Sequence, residues 1–186
     1  MRSLVLTFVL AAALAAALAA PASAQGSSPK VIRGSGATAA AVEQIRWVDL
    51  GAGLAEAKRS GRLVLVDVQT DWCGWCRRME KTTYADPDVR DYVGRTFVAV
   101  KLDAEDDESR VDYGGATRTH RQFADSFRIT GYPTTLFLAP DGVLITKVPG
   151  YAKPDPFLDV LRYIGDGHYK TTSWDEFQRS GDADHP

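Results

Sequence analysis

Asp71-Trp72-Cys73-Gly74-Trp75-Cys76-Arg77-Arg78 is the stretch that decides the fold, because it holds the only two cysteines of the 186-residue chain. The apolar residues before it, Leu63 to Val68, predict a buried strand, and Arg77 to Tyr84 predicts a helix. Cys73 would then lie at the helix N-terminus, where free N–H groups and the helix dipole stabilise a thiolate. Cys76, one turn further on, can form a disulfide with Cys73 and can resolve a mixed disulfide there. The pair therefore predicts thiol–disulfide exchange.

A structural disulfide and a metal site are the two other uses of such a pair. A bridge across two intervening residues closes a very short loop and would constrain the unfolded chain little. A zinc site usually needs four ligands in two close pairs, and the histidines, His120, His168 and His185, are not spaced as ligands with the cysteines. Binding of Cu(I) for delivery stays open as an alternative, because thiolates select this soft ion. We expect no resident metal or cofactor, since the sequence has no flavin or nicotinamide signature.

The first 24 residues have the pattern of a cleavable export signal. Arg2 supplies a positive start, the run from Leu4 to Ala20 is apolar and uncharged, and Ala22-Ser23-Ala24 is a small-x-small cleavage site. We therefore expect cleavage after Ala24 and a periplasmic or secreted protein, in a compartment where disulfides persist. An uncleaved membrane anchor is the alternative, because the apolar run is near the lower length limit for a membrane span.

Composition and charge bound the remaining possibilities. The net charge is −2, and removal of the signal with Arg2 leaves −3, which argues against nucleic acid as a partner. The mature length suits one domain with a hydrophobic core. We expect a signal peptide at 1–24, a flexible lead rich in Gly, Ser and Ala at 25–46, a folded domain at 47–165 and a C-terminal extension at 166–186.

Helices and strands alternate along the expected domain. Besides the elements beside the cysteines, the sequence predicts helices over Trp47–Ser60, Asp86–Val93, Thr119–Phe127 and Pro154–Ile164, a short helix from Ser173, and strands over Thr96–Leu102, Thr134–Ala139 and Val143–Val148. The acidic run Asp103 to Glu108, continuing to Gly115, is predicted to be a solvated loop, since short blocks of like charge usually face water. The same run could shape partner choice.

Asp67 interrupts the apolar strand that precedes the cysteines. A carboxylate inside a central strand is costly unless it has a partner or a task. If the strand end is exposed, Asp67 simply faces water. If the strand is buried, Asp67 is an acid near the cysteines with a raised pKa, able to take the proton from Cys76 during resolution.

Several separated landmarks resemble the thioredoxin family, over roughly Trp47 to Gly165. Trp72-Cys73-Gly74-Trp75-Cys76 is similar to the family's Trp-Cys-Gly-x-Cys motif, and Asp67 falls six residues before the first cysteine, at the place of the family's buried aspartate. Lys101-Leu102-Asp103 resembles the end of the family's next strand. Phe127 to Thr134 resembles the segment that leads to its cis-proline.

The resemblance implies an α/β thioredoxin-like fold, a central mixed sheet flanked by helices, here with an added N-terminal helix and a C-terminal extension. It implies Lys101 near Asp67 and a cis Tyr132–Pro133 bond facing the cysteines, with the Tyr132 backbone free to pair with an extended substrate. Two departures are Trp75, where ordinary thioredoxin has proline, and an insertion from Asp103 to Arg118.

Within the family, the chain resembles exported thioredoxin-like thiol–disulfide oxidoreductases, which implies a monomer that reduces protein disulfides. Cys73, Cys76, Asp67 and Lys101 would be catalytic. The substrate surface would be formed by Trp72, Gly74, Trp75, Tyr132 and Pro133. The electrons would come from a membrane-embedded or other thiol reductant. An oxidase or isomerase would use the same residues with a pair that rests oxidised.

Overall fold

The computed structural model describes residues 44–181. The expected signal at 1–24 and its cleavage site, most of the lead at 25–46 and the last residues, 182–186, lie outside the described part. Among the helices between residues 44 and 181, none combines the length and the apolar character that crossing a membrane requires.

The described elements follow the predicted alternation. The helices are α1 (Leu50–Ser60), α2 (Gly74–Thr82), α3 (Pro87–Thr96), α4 (His120–Ser126), α5 (Pro154–Gly165) and α6 (Trp174–Arg179), with a 3₁₀ turn at His168–Lys170. The strands are β1 (Trp47–Val48), β2 (Leu63–Gln69), β3 (Phe97–Asp103), β4 (Arg110–Tyr113), β5 (Ala116–Thr119), β6 (Thr134–Leu138) and β7 (Leu144–Pro149).

A five-stranded mixed sheet in the order β1-β3-β2-β6-β7 forms the centre of the fold. β2 pairs with β3 in parallel and with β6 in antiparallel, so it lies in the middle of the sheet. Because alternate side chains of a strand face opposite sides, β2 contributes to two cores. Val64, Val66 and Val68 pack with α1 and α4, and Leu65 packs with α2, α3 and α5. This architecture confirms the predicted fold class.

The ends of two helices depend on residue types that the sequence displays. α1 begins after Asp49, whose side chain accepts the N–H of Ala52, and ends at Gly61 in the left-handed conformation. The carboxylate of Asp86 accepts the N–H groups of Asp88 and Val89 at the start of α3. Gly61 therefore ends α1 just before β2, and Asp86 starts the helix that leads into β3.

Three predicted boundaries are wrong. Trp47 lies in β1 and pairs with Ala99, because the cap at Asp49 starts α1 only after it. α2 ends at Thr82, and Tyr84 lies in the turn that follows. The segment expected as a loop up to Gly115 contains a strand, β4, and the turn that joins it to β5 in a β-hairpin.

The hairpin is tied to the domain by its apolar residues. Gly114 and Gly115 have φ values of 62° and 79°, which suit a two-residue hairpin turn. Val111 is buried in the core beside α1, and the Tyr113 hydroxyl donates to the Gly142 carbonyl at 2.9 Å. The acidic residues before β4 do lie mostly at the surface, as predicted, although Ala104 between them is buried.

We predict that Gly53→Ala destabilises the protein by about 1–3 kcal/mol, the usual range for overpacking a core. A Cβ on Gly53 would collide with the side chain of Val100, where α1 packs on β3. Gly51→Ala is the matched control, because there the nearest atom is the end of the exposed Asp49 side chain at 3.3 Å. Urea unfolding should show a loss for Gly53→Ala alone, and equal stabilities of the two variants would contradict this packing.

Candidate active site

The cysteine pair lies at the N-terminus of α2, as predicted. Cys73 is the N-cap residue, and its Sγ accepts the backbone N–H of Cys76 at 3.0 Å. The two sulfur atoms form a disulfide, and the cysteines are only 3% and 4% exposed. The N–H of Cys73 donates to the Thr70 carbonyl at 3.1 Å, which fixes the turn that joins β2 to α2. A negative charge on Cys73 would therefore be stabilised by the first turn of the helix.

The Tyr132–Pro133 bond is cis and lies beside this turn. The Tyr132 ring meets the ring of Trp72, the residue before Cys73, edge to face with centroids 6.0 Å apart. The carbonyl of Pro133 accepts the N–H of Gly150 at 2.8 Å, so the loop after β7 supports the cis turn. Both turns reach the same end of the sheet, because Thr134 of β6 pairs with Val68 of β2.

Each of the two cysteines follows an exposed tryptophan in the sequence. Trp72 is 64% exposed and Trp75 is 55% exposed, with the exposed Gly74 between them. The indole N–H of Trp72 donates to Glu105 at 3.1 Å. Trp75 packs against Tyr151 with ring centroids 5.5 Å apart. Of the predicted substrate residues, Trp72, Gly74 and Trp75 are therefore exposed and Tyr132 is partly exposed, whereas Pro133 is buried. Two unpredicted residues, Glu105 and Tyr151, contact the tryptophans of this surface.

Asp67 is buried, which excludes the exposed strand end. It is 3% exposed, and it lies on the face of β2 that carries α2, because it alternates with Leu65 on the strand. Burial raises the pKa of Asp67 to about 6, while the charge of Lys101 and the Tyr84 hydroxyl oppose this rise. Its Oδ1 atom has no hydrogen-bond partner within the described chain. Such a carboxyl group can hold or release a proton near neutral pH.

Lys101 lies next to Asp67 across the β2–β3 pair, as the resemblance implied. Its Nζ donates to Glu80 of α2 at 2.8 Å and lies 5.1 Å from the ring centre of Trp47. Lys101 therefore interacts with two carboxylates, the buried Asp67 and the surface Glu80.

Tyr84 is a residue at the buried acid that the sequence analysis did not select. Its hydroxyl lies 3.4 Å from Thr135 Oγ1, and Thr135 pairs with Asp67 across β2–β6. Burial raises the pKa of Tyr84 well above its usual value, so the hydroxyl stays protonated. No pattern marked this residue, because it lies in a turn after a helix and reaches Asp67 only through tertiary packing.

No group of three or more His, Cys, Asp or Glu residues between residues 44 and 181 is arranged to hold an ion.

Comparison with known proteins agrees with this geometry. The family model described as "Thioredoxin-like domain" matches residues 50–165. The chain is similar to "Thiol:disulfide interchange protein DsbD" of Pseudoalteromonas atlantica, with 33% identity over 111 residues. That match covers 59% of this chain and 17% of DsbD, so the chain spans about a sixth of that relative's length.

Solved structures show the same fold. A thioredoxin-fold protein from Helicobacter pylori has a TM-score of 0.54 and 23% identity, over 72% of this chain and 92% of that protein. A thioredoxin from Thermus thermophilus has a TM-score of 0.54 and 25% identity, over 65% of this chain and 87% of its own. These findings confirm the resemblance to thioredoxin and support thiol–disulfide oxidoreductase activity.

We predict that Asp67→Asn stabilises the protein at pH 7.5 and not at pH 4. The pKa of Asp67 is raised in the folded state from 3.8 to about 6. Its contribution to stability is therefore fully present below about pH 4 and is lost as pH rises through about 6. The loss above pH 6 is up to about 3 kcal/mol, and the neutral asparagine avoids it.

Urea unfolding of the oxidised protein at the two pH values measures this difference. Asp88→Asn, which removes a charge from the exposed start of α3, serves as control and should show little dependence on pH. An Asp67→Asn variant no more stable than the wild type at pH 7.5 would contradict the burial of a charged Asp67.

Proposed function

Because the chain belongs to the thioredoxin-like domain family, we propose that it is an exported thiol–disulfide oxidoreductase that reduces disulfides of substrate proteins. The observation that carries this proposal is the position of Cys73 as the N-cap of α2, with the Cys76 N–H directed at its Sγ. A thiolate there is the attacking species in thiol–disulfide exchange. The cis Tyr132–Pro133 turn beside Trp72 supports a substrate groove at the same place.

The reaction transfers two electrons from the reduced pair to the substrate. The Cys73 thiolate attacks one sulfur of the substrate disulfide, which forms a mixed disulfide and releases the other sulfur as a thiolate that takes up a proton. Cys76 then loses its proton, attacks Cys73 Sγ and releases the second substrate thiolate. The protein ends with a Cys73–Cys76 disulfide, and the substrate ends with two thiols.

Asp67 is proposed to accept the proton of Cys76 during resolution. Its place on the face of β2 that carries α2, its burial and its pKa of about 6 support this role. Near neutral pH the carboxylate is largely ionised and can take a proton from a thiol. Lys101 would stabilise the ionised form of Asp67, since its positive charge lowers the pKa of that carboxyl group.

The substrate is proposed to lie as an extended segment against the Tyr132 backbone, before Pro133. Trp72, Gly74 and Trp75 would form the opposite side of this groove, because they surround the cysteines at the surface. Main-chain pairing of this kind accepts many sequences, since it uses groups that every residue carries.

Reduction is the proposed direction, and export is the proposed location. The buried Asp67 with Lys101 beside it, in the places that the resemblance to thioredoxin implies, supports reduction. The signal-like pattern at 1–24 supports export. Continued turnover requires new electrons, for which we propose a membrane-embedded or other thiol reductant. A disulfide oxidase or isomerase would use the same cysteines, with a higher reduction potential.

Replacement of Cys76 by Ser should trap the first covalent step. Cys73 can still attack a substrate disulfide in this variant, but the mixed disulfide cannot be resolved. The mature variant incubated with periplasmic extract should accumulate adducts that dithiothreitol releases, seen on non-reducing gels. Cys73→Ser is the matched control and should form almost none, because the remaining Cys76 lies inside α2 and lacks the N-cap position that stabilises a thiolate at Cys73. Equal adducts in both variants, or none in either, would contradict the assigned order of attack.

Asp67→Asn should slow turnover at pH 7.5 by about a hundredfold, the lower end of the range for loss of a general base. Wild-type turnover should also decline below about pH 6 as Asp67 becomes protonated, whereas the variant should lack that decline. The measurement is the rate of reduction of a model protein disulfide between pH 5 and pH 8. If the two pH profiles have the same shape, Asp67 does not carry the proton.

A further inference from the structure

Trp75, Arg78 and Tyr151 form a cluster at one edge of the cysteine pair, which we call the aromatic–arginine patch. The guanidinium carbon of Arg78 lies 5.3 Å from the ring centre of Trp75 and 5.3 Å from that of Tyr151. The two rings are in contact at a centroid distance of 5.5 Å. A hollow of about 300 Å³ is lined by Gly74, Trp75 and Arg78. Together these contacts place a stacked cation beside the reactive turn.

Hydrogen bonds fix the position of Tyr151 in the patch relative to the end of α2. The Tyr151 hydroxyl lies 3.2 Å from Thr82 Oγ1, and the Thr83 hydroxyl donates to the Ala152 carbonyl at 2.5 Å. These contacts tie the loop after β7 to the end of α2. Because the loop and helix are held together, little conformational freedom remains to be lost when a partner binds.

Arg78 has no acidic partner within the described chain. No carboxylate between residues 44 and 181 lies within ion-pair distance of Arg78 or of its exposed neighbours on α2, Arg77 and Lys81. Glu80, the acid on this helix, pairs with Lys101. The chain as a whole carries a net charge of −2, so this local excess of positive charge runs against its overall balance.

The opposite edge of the cysteine pair differs. There the polar group of Trp72 is already satisfied, because its indole N–H donates to Glu105. Glu105 is itself held by its backbone, whose N–H donates to Asp103 at 2.9 Å and whose carbonyl accepts from Arg121 at 3.0 Å. Arg78, which has no ion-pair partner within residues 44–181, lies on the other side, against Trp75.

Resting on the proposed function, we infer that the aromatic–arginine patch docks an acidic side chain of the protein partner, close in sequence to the partner's cysteine. An arginine stacked on aromatic rings keeps the donors at the edge of its guanidinium plane, which match a carboxylate with two parallel hydrogen bonds. Trp75 provides apolar contact for the rest of the partner segment. The patch therefore favours one charge pattern among the segments that main-chain pairing alone would accept.

A peptide series tests this preference. Each peptide is closed by one disulfide and carries Glu, Gln or Lys at the residue before, or after, the cysteine that Cys73 attacks. Rates of reduction by the full mature protein give kcat/KM. At one of the two flanking positions, the wild type should reduce the Glu peptide about threefold faster than the Gln peptide, the size expected for an exposed ion pair. High salt should remove the difference, because it screens exposed charges.

Arg78→Gln should abolish this preference, so that the ratio of the kcat/KM values for the Glu and Gln peptides falls to about one. Arg59→Gln, an equal change of charge on the exposed part of α1, is the matched control and should keep the preference. No preference for Glu in the wild type, or an unchanged preference in Arg78→Gln, would overturn the inference.

Binding without a redox step separates this inference from the proposed function. Peptides with serine in place of the cysteines should shift the Trp75 indole N–H signal in NMR spectra, and the Glu peptide should bind about threefold more weakly to Arg78→Gln. A wild type that reduces no peptide but still binds the Glu peptide preferentially contradicts the proposed function alone. Equal binding of Glu and Lys peptides overturns the docking role of the patch.

Discussion

The hydrogen bond from the Cys76 N–H to Cys73 Sγ is the interaction on which the site depends. It requires that a strand end and a helix begin within a few residues, with a sulfur atom as the helix cap. β2 meets this requirement because it is paired on both sides within the sheet and cannot move freely. The rigid sheet thus holds the cysteine turn, and the turn places a thiolate where the helix stabilises it.

The same strand buries Asp67, where a negative charge is disfavoured, in contrast to the negative charge that the helix favours at Cys73. Burial raises the pKa of this carboxyl group to about 6, against the effects of Lys101 and Tyr84. A negative charge on the face that carries α2 disfavours a second negative charge nearby. In our account, the N-terminus of α2 stabilises the thiolate of Cys73. The buried Asp67 accepts the proton of Cys76 when Cys76 resolves the mixed disulfide.

Local sequence patterns predicted the strand and the helix that carry the cysteines. The features that the sequence analysis missed depend mainly on tertiary contacts. The apolar run before the cysteines and the Asp86-Pro87 cap needed only neighbouring residues to be recognised. The β4–β5 hairpin was missed because its strands carry charged residues, although Gly114-Gly115 is a typical hairpin turn. Likewise, Tyr84, Glu105 and Tyr151 reach the site from elsewhere in the chain, so no spacing could reveal them.

The reduction potential of the Cys73–Cys76 pair tests the central claim most directly. Equilibration of the mature protein with defined dithiol buffers gives this value. Because the pair is proposed to work as a reductant, we expect a potential near the value of thioredoxin, about −270 mV. A value near about −120 mV, that of a strongly oxidising enzyme, would contradict reduction as the physiological direction.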